Sequence, residues 1–375
     1  MDYDNIRPYN DEELRSALKR AAGDPSVFLI SKYLWPCKPC WKLRSMLGNV
    51  SGVEEFQRKV VYDVVEAIER KTTDGVSFDM GKVGEGKFLA VSNHRDIVLD
   101  PAFFQKSLVD SGISTTRICA GNNLLANQLI TDLMKSNKMV LVKRDVQARE
   151  LLEVSKQLSS YIRDSITSGD SSVWIAQRGG RSKTGNDLTE PSILKMFDLS
   201  GKSDFATNFK ELNILPVSIS YEYESCDALK AREVLVSRTS SYVKKKGEDT
   251  HSILTGIKQK KGKVHIQAAE PISYDEIEAV SELPRQERYQ RLSELLDRRI
   301  IGAYRLFKTN YIGFDLMQGS EEYLDKEYTA DDRKEFVRYS MKQIDKVSKG
   351  LDKKELLNIF YGIYGNPVLQ KRRLL

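Results

Sequence analysis

The chain has 375 residues, 40% hydrophobic and 30% charged, enough to bury a full core and too apolar for a disordered polymer. No apolar run reaches the roughly 18–20 residues that cross a bilayer, which excludes a helical channel or carrier. The net charge of +6 favours anionic partners such as lipid headgroups, a phosphorylated substrate or an acidic carrier.

No aromatic–basic module or helix-turn-helix spacing is present, so no nucleic acid partner is expected. The first residues, MDYDNIRPYNDEEL, are polar and acidic, unlike a secretory signal, and a cytoplasmic location follows as the expectation.

Residues 1 to about 75 carry apolar positions at three- and four-residue spacing, which predicts helices. Ser51 with Glu54 three residues on reads as a capping box for the second of them. The first helical stretch mixes Phe28, Tyr33, Leu34, Trp35 and Trp41 with Lys32, Lys38, Lys42 and Arg44. That mixture suits a membrane interface, and equally a helix packed on a core. Cys37 and Cys40 form a lone CxxC flanked by Pro36 and Pro39. With no second pair of ligands at zinc spacing, no metal site is assigned and the pair is read as part of an interhelical bend.

From about 85 to 275, strand and helix patterns alternate, which predicts an α/β sheet with helices on its faces. The candidate strands are Lys87–Ser92, Arg117–Ala120, Met139–Lys143, Ser172–Ala176, Ile214–Tyr221, Glu233–Val236 and Lys263–Ala268. Helical patterns cover Pro101–Ser111 and Ala148–Ser165, and Pro101 suits the first position of its helix. The Lys244–Lys246 run reads as solvated loop. Residues from about 280 onward are helical again. The expected organisation is a helical extension over 1–80, a core domain over 81–278 and a helical extension over 279–375. The expected fold class is α/β, a mixed, mostly parallel sheet flanked by helices.

Four blocks in the core carry candidate chemistry. The first, VSNHRDIVLDPAFF, puts His94 at the end of a buried-looking strand beside Asp96 and Asp100. A neutral imidazole held by a carboxylate can take a proton from an alcohol at neutral pH. The second, KMVLVKRD (Lys138 to Asp145), ends an apolar strand with Lys143 and Arg144. The third, WIAQRGGRSKTGND, follows a strand with Gly179, Gly180 and Gly185, which let backbone approach an anion, and with Arg178, Arg181 and Lys183. Arg181 can grip a phosphate bidentately. The fourth, ILPVSISYE, is an apolar strand whose Pro216 suggests a sheet edge or a bulge.

The order of these blocks resembles the glycerolipid acyltransferase superfamily, over roughly residues 85–275. NHRDIVLDP is similar to that family's His–Asp motif, VLVKR to its second motif, QRGGRSKTG to its third and the strand with Pro216 to its fourth; Gly262 to Ile272 is similar to the strand that follows. The resemblance implies acyl transfer from acyl-CoA or acyl carrier protein to a hydroxyl of glycerol 3-phosphate or lysophosphatidic acid. It implies no cofactor beyond that co-substrate, and a peripheral position on the inner face of a phospholipid membrane. It makes His94 the general base, and Arg181, Lys143, Arg144, Lys183, Gly179 and Gly180 the candidate phosphate-binding set. Backbone amides at Gly179 and Gly180 are candidates for an oxyanion hole.

Two departures from the family pattern stand out. Its aspartate lies five residues after the histidine; here Asp100 lies six after and Asp96 two after. Asp100 is the favoured partner and Asp96 the alternative. The third motif also lacks its glutamate, and an ungapped alignment puts Arg178 there. The alternative that this raises is a non-catalytic lipid- or acyl-carrier-binding protein on the same fold.

Overall fold

The structure, a computed structural model, describes residues 2–144, 146–238, 242–245 and 247–374. Of the positions singled out above, Asp145 and Lys246 lie outside the described residues. Strand β2 (Leu89–Ser92) is buried along its whole length, as is β6 (Ile214–Tyr221). Runs without polar alternation need cover on both faces, which is the signature of a strand inside a parallel sheet. With β1 (Thr73–Asp79), β3 (Arg117–Gly121), β4 (Met139–Val142), β5 (Val173–Ala176) and β7 (Gly262–Ala268), they form one seven-stranded sheet ordered β1-β7-β6-β2-β5-β3-β4. All neighbours are parallel except β6 and β7. The mixed, mostly parallel α/β sheet is the expected fold class.

Successive side chains point to opposite faces, and the cores divide accordingly. Leu89, Val91, Val173 and Ile175 pack with helices Ala148–Thr167 and Arg285–Ala303. Ala90 and Trp174 pack on the other side with Phe103 and Phe104 of helix Leu99–Asp110 and with Val65 and Ile68 of helix Tyr62–Thr72.

Four expectations are corrected. Glu233–Val236 is no strand: it belongs to helix Asp227–Ser237, whose Ala228 and Ala231 are buried with the C-terminal helices. The alternating valines imitated a strand, and tertiary packing overrode that local preference. Pro216 marks neither an edge nor a bulge, since β6 lies between β7 and β2 and pairs in register with both. Its carbonyl accepts from Ala269, just past the end of β7. The missing N–H falls on that same side, one residue beyond the last registered pair, Val217 with Ala268, so the proline costs at most the terminal bond of the β6–β7 ladder. Ser51 does not cap its helix either: Gly52 takes the N-cap position, and the Ser51 hydroxyl donates to Glu55. Edge strand β1 lies within the residues read as helical N-terminal extension, and pairs with β7.

The N-terminal helices Ser26–Leu34 and Lys42–Gly48 bury Val27, Leu34, Leu43 and Leu47. The free thiols Cys37 and Cys40 lie exposed in the bend between them. Helix Val53–Phe56 continues through one π turn, Gln57–Val61, into Tyr62–Thr72. At the other end, helices Lys308–Gln318 and Lys353–Leu374 cross at two glycines. A Cβ on Gly313 would stand 2.5 Å from Tyr364, and one on Gly365 2.8 Å from Phe314.

Candidate active site

The carboxyl ends of β2, β5, β3 and β4 lie side by side, where open α/β sheets gather ligands. The loop after β2 carries His94, the loop after β5 carries Arg178 to Lys183, and the end of β4 leads into Lys143 and Arg144. His94, Lys143, Arg144, Arg178 to Arg181 and Lys183 line one cavity of about 1470 Å³. That exceeds the usual volume for one compact small-molecule ligand.

Within the first block, His94 Nδ1 lies 2.8 Å from Asp100 Oδ2. A carboxylate only accepts, so the ring is the Nδ1–H tautomer and Nε2 is left for a substrate. Asp100 is fully buried in the first turn of helix Leu99–Asp110. Its Oδ2 also accepts from the backbone N–H groups of Arg95 at 2.5 Å and Asp96 at 2.9 Å, and its Oδ1 from the Tyr221 hydroxyl at 2.8 Å. Burial and the adjacent Asp100 charge push the Tyr221 phenol well above its ordinary value, so it stays a donor. Trp174, the second residue of β5, meets the His94 ring edge-on at 6.2 Å between centroids.

Asp96 holds no imidazole. Its Oδ1 accepts from the Val98 and Leu99 N–H groups, both at 2.8 Å, and its Oδ2 from the Ser225 hydroxyl. It thereby holds the turn that leads into the helix presenting Asp100, whose N-cap position is Val98. Burial opposes its charge, but these hydrogen bonds and Lys261 hold its carboxyl below the ordinary range. Lys261 is itself buried, and desolvation lowers its amine to about 8.

The cationic loop is closed at its neck by the Glu190 N–H donating to the Gln177 carbonyl at 3.0 Å. Inside it Gly180 has φ +87° and Gly185 φ +81°, left-handed turns that favour glycine. Ser182 N–H donates to the His94 carbonyl at 2.8 Å, tying this loop to the one that carries His94. Asn366 and Gln370, from helix Lys353–Leu374, bond to Thr184 and to both backbone groups of Asp187.

The candidate cations are not equivalent. Lys183 is paired with Glu233, and the Gly179 N–H is taken by Glu190 Oε2 at 3.2 Å. Arg181 Nη1 is shielded from solvent and makes no hydrogen bond among the described residues. No side-chain hydrogen bond or ion pair joins Lys143 or Arg144 to another described residue, and Arg144 is exposed.

Arg95, next to His94, has a structural setting that the motif reading did not assign. It is buried, pairs with Asp187 and with Glu224 at 3.3 Å, and donates to the Gly185 carbonyl at 3.3 Å. Lys230 bonds to Glu224 and to the Arg95 carbonyl at 2.8 Å. Two cations and two carboxylates thus balance inside the protein, as buried charges require. Glu190, Tyr221 and the apolar wall were also missed. That wall is built by Val27, Leu43, Leu47, Phe56, Val60 and Val64 from the N-terminal helices. Only Tyr221 had a local signal, as the end of the fourth block.

No group of three or more His, Cys, Asp or Glu among the described residues could hold a metal ion. Nor is any described helix long and apolar enough to cross a membrane.

Residues 50–221 match the model of the family described as Acyltransferase. Among solved structures, the chain is similar to PlsC, the 1-acyl-sn-glycerophosphate (LPA) acyltransferase of Thermotoga maritima. The two share 16% identity, the match covers 77% of this chain and 95% of that one, and the TM-score is 0.37. No curated protein matches the chain.

Proposed function

From the match of residues 50–221 to the acyltransferase family, a segment that spans the four blocks up to Tyr221, we propose that the chain is a glycerolipid O-acyltransferase. The acceptor is a glycerol hydroxyl of lysophosphatidic acid or glycerol 3-phosphate, and the donor a thioester, acyl-CoA or acyl carrier protein. The observation that carries the reading is the single cavity shared by the His94–Asp100 pair, an apolar wall and an unspent Arg181 guanidinium.

The steps follow from that arrangement. Asp100 holds the imidazole so that Nε2 accepts the proton of the acceptor hydroxyl. The hydroxyl oxygen attacks the thioester carbonyl carbon. The C–S bond breaks as the ester C–O bond forms, and the imidazolium returns its proton to the departing thiolate. Arg181, with Lys143 and Arg144 at the rim, binds the acceptor phosphate and keeps the hydroxyl near the base. The acyl chain lies along the wall of the N-terminal helices. No covalent acyl-enzyme is required.

The outer face of those same helices exposes Leu29 and Trp41, beside the exposed Lys32, Lys38 and Arg44. This supports docking on an anionic phospholipid surface, with the cavity wall directly beneath.

The test is purified protein assayed with lysophosphatidic acid and glycerol 3-phosphate against acyl-CoA and acyl carrier protein, with products identified by mass. Acylated product from the native chain and none from His94→Ala, with an unchanged melting temperature, is expected. Turnover by His94→Ala would overturn the mechanism, and a native chain inactive with all four pairs would favour the non-catalytic lipid-binding alternative.

A further inference from the structure

We propose that Glu190 is a positioning residue for the acceptor site, the carboxylate that locks Arg178 and the Gly179–Gly180 turn in place; the proposal rests on the acyl-transfer reading above. Glu190 ends the cationic loop and precedes helix Pro191–Asp198. The closed neck of the loop folds it back over the start of the same loop. There Oε2 accepts the Gly179 N–H at 3.2 Å, and Oε1 stands 3.9 Å from Arg178 Nε. Arg178 Nε is shielded from solvent and makes no hydrogen bond among the described residues, so this carboxylate is the charge it faces. Both side chains line the cavity that holds His94 and Arg181.

A carboxylate in the wall of a phosphate site repels the ligand unless its charge is spent on a neighbouring cation. Glu190 spends it on Arg178. The two arginines of the loop then divide the work: Arg178 is held in the wall, and Arg181 keeps free donors for phosphate. With the side chain of Glu190 45% exposed, core packing does not account for its position. The pairing also explains why the loop tolerates arginine at position 178. The carboxylate arrives from the opposite end of the loop, and Arg178→Glu would place a second negative charge beside it.

The test is a double-mutant cycle with Glu190→Ala, Arg178→Ala and the double variant. Affinity for glycerol 3-phosphate is read by calorimetry, and KM for lysophosphatidic acid and for acyl-CoA by assay. Loss of one charge-assisted contact predicts that Glu190→Ala weakens acceptor binding roughly five- to tenfold and leaves the donor KM within about twofold. The double variant is expected to be no worse than the poorer single, because the residues act as a unit. Glu190→Gln, which keeps an acceptor for the Gly179 N–H, should fall in between, and Arg178→Glu should lose affinity. Additive losses, unchanged acceptor affinity in Glu190→Ala, or a gain in Arg178→Glu would each overturn the assignment. The functional reading fails separately: a native chain that binds glycerol 3-phosphate with a coupled cycle, yet acylates nothing, keeps Glu190 as the organiser of an anion site and loses the enzyme. A native chain that binds neither acceptor loses both.

Discussion

The N–H of Ser182 donates to the carbonyl of His94 at 2.8 Å, so the loop that bears His94 and the loop that bears the cations form one unit. Asp100 fixes that unit from below, through the imidazole and two consecutive backbone N–H groups. On the proposed acyl-transfer reading, His94 as base and Arg181 as phosphate ligand would keep their separation when substrate arrives, which is what orientation catalysis needs.

The two aspartates of the first block should separate cleanly. Asp100→Asn presents a group that can no longer demand Nδ1–H, and a lost tautomer in this type of pair costs about 10³–10⁴ in kcat. Asp96→Ala removes the acceptor of the Val98 and Leu99 N–H groups at the start of that helix, which costs about 1–2 kcal/mol of stability, with kcat reduced far less. Steady-state kinetics and urea melts of both variants check this; equal losses of kcat would mean that Asp96 also bears on the base.

The two left-handed glycines of the cationic loop should differ too. Gly180→Ala meets no atom within 4 Å, so it pays only for φ +87°; that strain is about 1–2 kcal/mol. Gly185→Ala adds a collision, because its Cβ would stand 2.2 Å from the Ile363 carbonyl oxygen of the C-terminal helix. Denaturant melts should therefore show a clearly larger loss for Gly185→Ala, with acceptor KM rising as the loop shifts.

Much of this site was legible because it is local. The pairing of His94 with an aspartate, the cations at 143, 144 and 181, and the strands that carry them all sit within short motifs whose spacing reflects chemistry. What was hidden depends on distant residues meeting. Glu190 reaches Gly179 only because the loop neck closes, and Arg95 finds Glu224 across 129 positions of sequence. The choice between Asp96 and Asp100 rested on which one the helix start consumes, and spacing alone does not reveal that. Pro216 misled because a proline rule about ladders depends on where the neighbouring strand stops.

Asp297 gives the chain a pH-dependent liability near the same loop. Burial raises its carboxyl from 3.8 to about 6, although it accepts both the Thr189 N–H and hydroxyl. A raised carboxyl contributes stability while protonated, below its unfolded value, and that contribution is lost as pH rises through about 6. Asp297→Asn keeps an acceptor for Thr189 and removes the charge. It should be more stable than the native chain at pH 7.5, by on the order of 2–3 kcal/mol, with the advantage shrinking toward pH 4. Urea melts of both chains across that range measure it, and a difference independent of pH would refute the assignment.

Arg95 offers the most severe test of how the loops are held. Its side chain is 1% exposed, stacks 5.3 Å from the Tyr304 ring, and compensates Asp187 while Lys230 serves Glu224. Arg95→Met leaves one buried carboxylate without its cation, a change that costs about 3–5 kcal/mol. Burial already raises Asp187 above the ordinary carboxylate range, so with the arginine gone it should bind a proton on folding. The expected signature is a loss of stability in Arg95→Met that grows with pH across the neutral range. Adding Asp187→Asn to Arg95→Met should recover a large part of that loss and flatten its pH dependence. Chemical denaturation at two pH values decides the matter: a double variant as unstable as Arg95→Met alone would mean that the arginine acts through packing on Tyr304 and not through charge.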